Sequence, residues 1–195
     1  MRKMALAAMI AAAGLFSEVS AVLAGPATIY GDDPAGNSEG RNFTPIPRET
    51  VPYHGAYGKG TILVNTAERR LYLVQGDGTA LKYGIGVGRP GFAWTGTHTI
   101  TNKAEWPGWT PPPQMRKRVP NLPAYMPGGP DNPLGARALY IGSTFYRIHG
   151  SNEPWTIGQA VSSGCFRMTN DDVQDLYDRV HVGAKVIVVT GNIEG

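Results

Sequence analysis

Short stretches in which apolar and polar side chains alternate dominate the chain from about residue 60 onward. Alternation with a period of two, rich in β-branched residues, is typical of a β-strand that buries one face. Turn-forming residues separate these stretches. The pattern predicts strands at 61–65, 71–74, 81–87, 97–101, 138–141, 145–148 and 185–189. Several short strands at this spacing indicate a mainly β domain, a sandwich or barrel-like sheet, rather than repeating βαβ units.

One segment near the C-terminus follows a helical period instead. Its apolar residues are spaced i, i+3, i+4 and i+7, which places them on one buried face. They are Val173, Leu176, Tyr177 and Val180. Asn170 precedes this face and is predicted to cap the helix, and the two aspartates that follow suit the positive end of the helix dipole. One short helix is therefore expected.

A long proline-rich segment, residues 107–133, interrupts the strand pattern. It holds nine of the sixteen prolines in the chain. Loops of this length in a compact domain are usually functional lids or disordered insertions. Trp109, Tyr125 and the stiff proline backbone favour a lid, and the basic run at 116–118 could bind carboxylates. The alternative is that these aromatic side chains pack on the outer face of the domain, far from any site.

The first residues have the features of an export signal. Arg2 and Lys3 precede an apolar run, and Val22 and Ala24 have the modest size that signal peptidase requires. We therefore predict a signal peptide at 1–24, a flexible linker at 25–57 and one folded domain at 58–191. An uncleaved anchor is the alternative, although the apolar run is short for a membrane span. The protein is expected in the periplasm or cell envelope, without a membrane span after cleavage.

Composition narrows the possible classes. A hydrophobic content of 42% and a charged content of 17% suit a globular domain with a core, and 26 Gly with 16 Pro argue against a helical bundle. The formal net charge of +3 is too small to indicate nucleic-acid binding. His and Cys residues do not cluster along the chain, so we expect neither a metal nor an organic cofactor. We expect a monomer.

Cys165 is the single cysteine of the chain, so no internal disulfide can form. It is either a buried, inert side chain or a reactive thiol. A thiol that attacks an amide needs a nearby base, hydrogen-bond donors for the oxyanion and an open approach. Ser163 and Gly164 supply small neighbours, Arg167 supplies a positive charge, and His149 ends a predicted strand. These neighbours predict a lowered thiol pKa.

The motif around these residues resembles the signature of the L,D-transpeptidase family, also called the YkuD domain. That signature is His-Gly, a short insert, and then Ser/Thr-x-Gly-Cys-hydrophobic-Arg. This chain has His149-Gly150 and Ser162-Ser163-Gly164-Cys165-Phe166-Arg167. Phe166 is a mild departure, because Ile or Val is commoner there. The likeness extends from about Gly58 to Val189 and implies a single YkuD-type domain.

The resemblance also implies an activity on bacterial peptidoglycan. Cys165 would attack the carbonyl between the third and fourth residues of a stem tetrapeptide and release D-alanine, with His149 as base and then acid. The Gly150 carbonyl would orient the imidazole, and the N–H groups of Gly164 and Cys165 would form the oxyanion hole. The residues expected to contact substrate are Arg167, Ser162, Ser163, Trp109 and Tyr125.

Several alternatives remain open at this stage. The amine that captures the acyl-enzyme could belong to a second stem peptide, a lipoprotein lysine or a free D-amino acid. Water in place of an amine would make the protein a hydrolase on the same scaffold. A cell-wall-binding module that has lost its activity is the alternative from another class. The motif residues that occur together argue against it: His149, Gly150, Ser162, Gly164, Cys165 and Arg167.

Overall fold

The computed structural model describes residues 43–193. The predicted signal peptide at 1–24 and most of the predicted linker lie outside the described residues. The strands, in chain order, are β1 Glu49–Pro52, β2 Ile62–Asn65, β3 Arg70–Val74, β4 Thr79–Gly84, β5 Val87–Gly88, β6 Gly96–Glu105, β7 Arg137–Ile141, β8 Arg147–His149, β9 Ala160–Ser162, β10 Phe166–Arg167 and β11 Lys185–Val189. The helices are α1 Pro113–Arg118 and α2 Asn170–Arg179, and Pro154–Thr156 forms one 3-10 turn.

In the described part of the chain, nine strands form one curled sheet in the order β1-β4-β3-β2-β11-β6-β7-β8-β10. Strand β6 joins its two halves. Residues 96–99 of β6 pair with β11, and residues 100–105 pair with β7, with a register shift between Ile100 and Asn102. Such a bulge bends a strand and increases its twist. The mainly β, barrel-like fold predicted from the sequence is confirmed.

The centre of the sheet is buried on both faces. In β2, Ile62 and Val64 face the larger apolar cluster, whereas Leu63 between them faces a smaller one. Strand β11 divides in the same way, with Ile187 on the smaller side. Because both faces are covered, these strands are continuous apolar runs in the sequence. That is why their positions agree with the predicted strands.

The folded domain begins earlier than the predicted boundary at residue 58. Residues 49–52 form β1, an antiparallel edge strand on β4. Tyr53, directly after it, is buried in the smaller cluster. An edge position suits Pro52, which has no N–H to donate. The predicted linker at 25–57 is therefore wrong for residues 49–53, because a four-residue edge strand with mostly exposed side chains gives little apolar pattern.

Helix α2 lies where the sequence predicted a helix, but its cap is different. The Thr169 hydroxyl accepts a hydrogen bond from the Asp172 N–H at 3.2 Å, so Thr169 is the N-cap. Asn170 is the first helical residue, and its side-chain oxygen accepts from the Ala136 N–H at 2.9 Å. This bond ties the start of α2 to the segment that leads into β7.

The proline-rich segment contains the second helix, α1, which the sequence pattern did not predict. It begins at Pro113, and proline suits this first position because its missing N–H would have no partner within the helix. Between residues 43 and 193, neither helix has the length and apolar character needed to cross a membrane.

Candidate active site

The pairing of β8 with β10 brings together four side chains that are charged or can titrate. The strands are parallel, with Phe166 opposite Ile148 and Arg167 opposite His149. Alternate residues of a strand face opposite sides of its sheet. Ile148 and Phe166 enter the core, where they are at most 1% exposed. Their neighbours on the other side line one cavity of about 110 Å³: Arg147, His149, Cys165 and Arg167. We call it the site cavity.

The imidazole of His149 is fixed by the next residue in the chain. His149 is 5% exposed, and its Nδ1 lies 2.6 Å from the Gly150 carbonyl oxygen. A carbonyl oxygen only accepts, so Nδ1 carries the proton and Nε2 keeps its lone pair. The Gly150 carbonyl therefore lies beside the imidazole, where the motif predicts it. The resulting tautomer leaves Nε2 able to accept a proton.

Burial shifts both titrating groups of the site towards their neutral forms. Together with the charge of Arg167, it lowers the pKa of His149 from 6.5 to about 3. Burial also raises the pKa of the Cys165 thiol above its ordinary value, and the charge and hydrogen bonds of Arg147 only partly oppose this rise. The lowered thiol pKa predicted from the sequence is therefore wrong. The resting site holds a neutral thiol and a neutral imidazole.

We expect Cys165 to react slowly with iodoacetamide below about pH 8, where an ordinary thiol of pKa ~8.5 already reacts. Labelling should rise only at higher pH, because burial disfavours the thiolate. Arg147→Gln should move the labelling curve further up the pH scale, since it removes a charge that stabilises the thiolate. Arg147→Lys keeps that charge and should shift the curve less. Rapid labelling of the unsubstituted protein at neutral pH would contradict the neutral pair.

A short loop holds the cysteine in place. We call residues 162–166 the nucleophile loop. The Ser162 hydroxyl donates to the Cys165 carbonyl at 2.6 Å and accepts from the Gly164 N–H at 3.1 Å. Ser163, on the cavity side, accepts from the Arg89 guanidinium at 3.2 Å. Ser162, expected to contact substrate, has its hydroxyl engaged in hydrogen bonds within the loop.

The bond to Ser162 also changes the expected oxyanion hole. Gly164 was predicted to offer its N–H to the substrate, but that group already donates to the Ser162 hydroxyl. Within residues 43–193 the Cys165 N–H has no such internal acceptor. Of the two predicted donors, only the Cys165 N–H is free for an oxyanion in the resting site.

Arg167 is buried in an ion pair that the sequence did not predict. Its guanidinium donates to the Glu153 carboxylate at 2.8 Å and lies 3.4 Å from the Thr156 hydroxyl. The side chains of Arg167 and Glu153 are 11% and 4% exposed. Glu153 follows β8 in the insert between the two halves of the motif. Arg167 therefore joins this insert to β10, although it was expected to bind substrate.

Arg147 is a site residue that sequence reasoning missed. It lies two residues before His149 on the same face of β8, and in parallel register it comes next to Cys165. Its guanidinium donates to the Phe145 carbonyl at 3.0 Å, and the Cys165 sulfur lies 3.9 Å from that same oxygen. The alternation of Arg147, Ile148 and His149 was visible, but the partner strand that makes it meaningful is only two residues long.

The proline-rich segment, which we call the lid segment, covers part of the site cavity. Trp109 is 6% exposed and lines the cavity together with Pro112 and Met115 of the same segment. The backbone of Trp109 pairs with Met126 across the segment, at 2.8 Å in both directions. Tyr125, next to Met126, is 59% exposed and does not line the cavity. The structure thus brings Trp109 to the site and leaves Tyr125 outside it.

If Cys165 forms the acyl-enzyme that the motif implies, Trp109→Ala should lower the ratio of transfer to hydrolysis. The indole walls the cavity, and its loss admits water to the thioester. Tyr125→Ala is the matched comparison, because it removes an exposed aromatic ring from the same segment and should change the ratio less. The two products are separated by chromatography and identified by mass. Equal ratios in Trp109→Ala and the unsubstituted protein would show that the lid segment does not exclude water.

Comparison with known proteins gives the same family for the domain model and for a curated relative. The model of the YkuD family, the L,D-transpeptidase catalytic domain, matches residues 59–188. The "Probable L,D-transpeptidase ErfK/SrfK" of Escherichia coli (strain K12) is 44% identical over 137 residues, which are 66% of this chain and 43% of that protein. The chain thus matches less than half the length of this curated relative.

Solved structures extend the comparison to the fold. A Brucella melitensis protein described as a "Probable carnitine operon oxidoreductase caia" is 43% identical, and the match covers 80% of this chain and 100% of that chain at a TM-score of 0.50. The catalytic domain of the Enterococcus faecium L,D-transpeptidase is 20% identical, and the match covers 69% of this chain and 100% of that chain at a TM-score of 0.52. At that identity the second match shows the fold alone.

The curled sheet and the cavity that joins a thiol to an oriented imidazole are thus found together with a family match over most of the described residues. The chain belongs to the L,D-transpeptidase family, with a YkuD catalytic domain.

Proposed function

We propose that this protein is a peptidoglycan L,D-transpeptidase that works through an acyl-enzyme on Cys165. The observation that carries the proposal is the shared cavity: Cys165 and His149 line it together, and the Gly150 carbonyl fixes the imidazole tautomer at 2.6 Å. The substrate class, peptide stems of peptidoglycan, is taken from the family. We also propose that the protein acts outside the cytoplasm, in the periplasm or cell envelope.

The first step forms a thioester. The Cys165 sulfur attacks the carbonyl carbon of the third stem residue while its proton passes to Nε2 of His149. The oxyanion that develops is met by the Cys165 N–H. Collapse breaks the carbon–nitrogen bond, and D-alanine leaves with the proton that His149 had taken up. Because the Cys165 thiol and the His149 imidazole are both neutral before substrate binds, the buried site does not bear the cost of desolvating an ion pair.

The second step reverses these proton transfers. An acceptor amine attacks the thioester carbonyl and gives its proton to His149, and the thiol of Cys165 then leaves and is reprotonated. One amide bond replaces another, so the exchange needs no external energy source or redox partner. The acceptor we favour is an amine of a second stem peptide. A lysine of a lipoprotein or a free D-amino acid would follow the same chemistry.

Incubation with purified muropeptides tests the proposal. Intact-mass spectrometry should detect one acyl adduct, and analysis of a digest should locate it on the peptide that contains Cys165. Free D-alanine should be released at the same time. Product analysis then identifies the acceptor: a cross-linked dimer for a stem peptide, or a tripeptide for water. A tripeptide as the main product would assign a hydrolase instead. Absence of any adduct from tetrapeptide stems would contradict the proposed function and favour a binding module.

A further inference from the structure

Trp94 contacts the nucleophile loop from outside the site cavity. Its indole N–H donates to the Gly164 carbonyl oxygen at 2.8 Å. The ring stacks on Tyr146, with centroids 4.7 Å apart and an interplanar angle of 11°, and lies 5.3 Å from the ring of Phe166. Trp94 does not line the site cavity. It lines a second cavity of about 280 Å³, together with Gly164 and Phe166.

The Trp94 bond determines the direction of the peptide group that enters Cys165. In a trans peptide, the carbonyl and the N–H that share one plane point in opposite directions. The Gly164 carbonyl points towards Trp94 and the second cavity, so the Cys165 N–H points away from Trp94. The side chain of Cys165 lines the site cavity, which Trp94 does not line. This direction leaves the Cys165 N–H available for an oxyanion that forms beside the Cys165 sulfur.

The backbone at Gly164 makes this orientation depend on its surroundings. Gly164 has φ +111, a value that other L residues rarely adopt, and a Cβ at this position would collide with the Tyr146 ring. Glycine by itself has wide conformational freedom, so an external contact is needed to hold the peptide in one orientation. The bond from Trp94 to the Gly164 carbonyl holds the Gly164–Cys165 peptide, and the bond from the Gly164 N–H to the Ser162 hydroxyl holds the preceding Ser163–Gly164 peptide.

We propose that Trp94 is a positioning residue for the oxyanion donor: its indole N–H fixes the Gly164–Cys165 peptide so that the Cys165 N–H faces the reacting carbonyl. The inference rests on the proposed role of Cys165 as an acylated nucleophile. Trp94 itself touches neither substrate nor the reacting atoms.

Two thiol reagents separate this role from general support of the loop. Acylation by p-nitrophenyl acetate passes through a tetrahedral oxyanion: a carbon–sulfur bond forms, p-nitrophenolate leaves, and the thiol proton goes to His149. Alkylation by iodoacetamide displaces iodide at a saturated carbon and develops no oxyanion. A residue that only orients the oxyanion donor affects the first reaction and leaves the second unchanged. Neither reagent contains a peptide, so the result does not depend on muropeptides being substrates.

The sharpest variant replaces Trp94 with β-(3-benzothienyl)alanine, which keeps the two fused rings and loses only the N–H. We expect the acylation rate to fall by about tenfold to a hundredfold, at or below the usual effect of losing an oxyanion donor. The alkylation rate should be unchanged. The same replacement at Trp106, which is 43% exposed and outside both cavities, is the matched control and should alter neither rate.

Three results would overturn the inference. One is an unchanged acylation rate in the Trp94 isostere. Another is a fall of both rates by the same factor, which would mean that Trp94 merely supports the loop. The third is the absence of acylation at Cys165 in the unsubstituted protein. If the protein did not react with muropeptides but p-nitrophenyl acetate acylated Cys165 normally, the result would count against the proposed substrate. The Trp94 experiment would still decide the role of the indole.

Discussion

Cys165→Ala should abolish acyl transfer, and His149→Ala should lower it by about 10⁴- to 10⁶-fold, because residues that act as one unit lose most of the rate when either is removed. In the proposed mechanism the Cys165 sulfur becomes acylated, and the imidazole is neutral, with Nε2 as its free acceptor. Without His149 the thiol, whose pKa is raised, loses the neutral imidazole as the base for its proton. The rate is measured as D-alanine released from tetrapeptide stems.

The matched control is His181→Ala, which removes an exposed histidine beyond the end of α2 and should leave the rate unchanged. Circular dichroism of each variant shows whether the sheet is retained. Cys165→Ala that keeps its transpeptidation and a native spectrum would exclude the thioester mechanism. A His149→Ala variant that forms the acyl adduct at the normal rate would remove the imidazole from the first step and assign the base elsewhere.

The elements that the sequence predicted well are those whose pattern is local. Strand β11 was located at its observed bounds, 185–189, because four consecutive β-branched residues, 186–189, give a strong β pattern that needs no knowledge of its neighbours. Strand β1 was missed because its mostly exposed residues form a strand only through their pairing with β4, which the sequence does not show. The cap of α2 was placed one residue late, since Thr169 and Asn170 both suit an N-cap and only the bond from the Asp172 N–H distinguishes them.

The site shows the same division. The motif identified Cys165, His149 and Gly150 because family resemblance is read directly along the chain. Arg147 and Trp94 were missed, because they reach the nucleophile loop through strand pairing and a loop contact between distant segments. The thiol pKa was predicted in the wrong direction for a physical reason. Nearby positive charges can be read from the sequence, whereas the desolvation that outweighs them depends on burial.

Arg167→Met should lower the free energy of unfolding by about 3–5 kcal/mol, the usual cost of removing one partner of a buried ion pair. The Glu153 carboxylate, 4% exposed, would lose its cation in a place that water hardly reaches. Typical domains are stable by only about 5–15 kcal/mol, so this loss should be evident as a large shift in the denaturant midpoint. The sequence-based role for Arg167, binding of a substrate carboxylate, predicts instead a raised KM with unchanged stability.

Two further variants decide between these roles. Arg167→Met combined with Glu153→Gln removes both charges of the ion pair, so it should be less destabilised than Arg167→Met alone, because the buried carboxylate charge is removed together with its cation. Lys82→Met is the matched control: it breaks an ion pair of similar length, 2.9 Å, whose Glu49 partner is 52% exposed. Exposed pairs contribute about 0–1 kcal/mol, so its effect should be small. If Arg167→Met were no more destabilising than Lys82→Met yet raised KM, the guanidinium would belong to the substrate site, and Glu153 would be the group that orients it there.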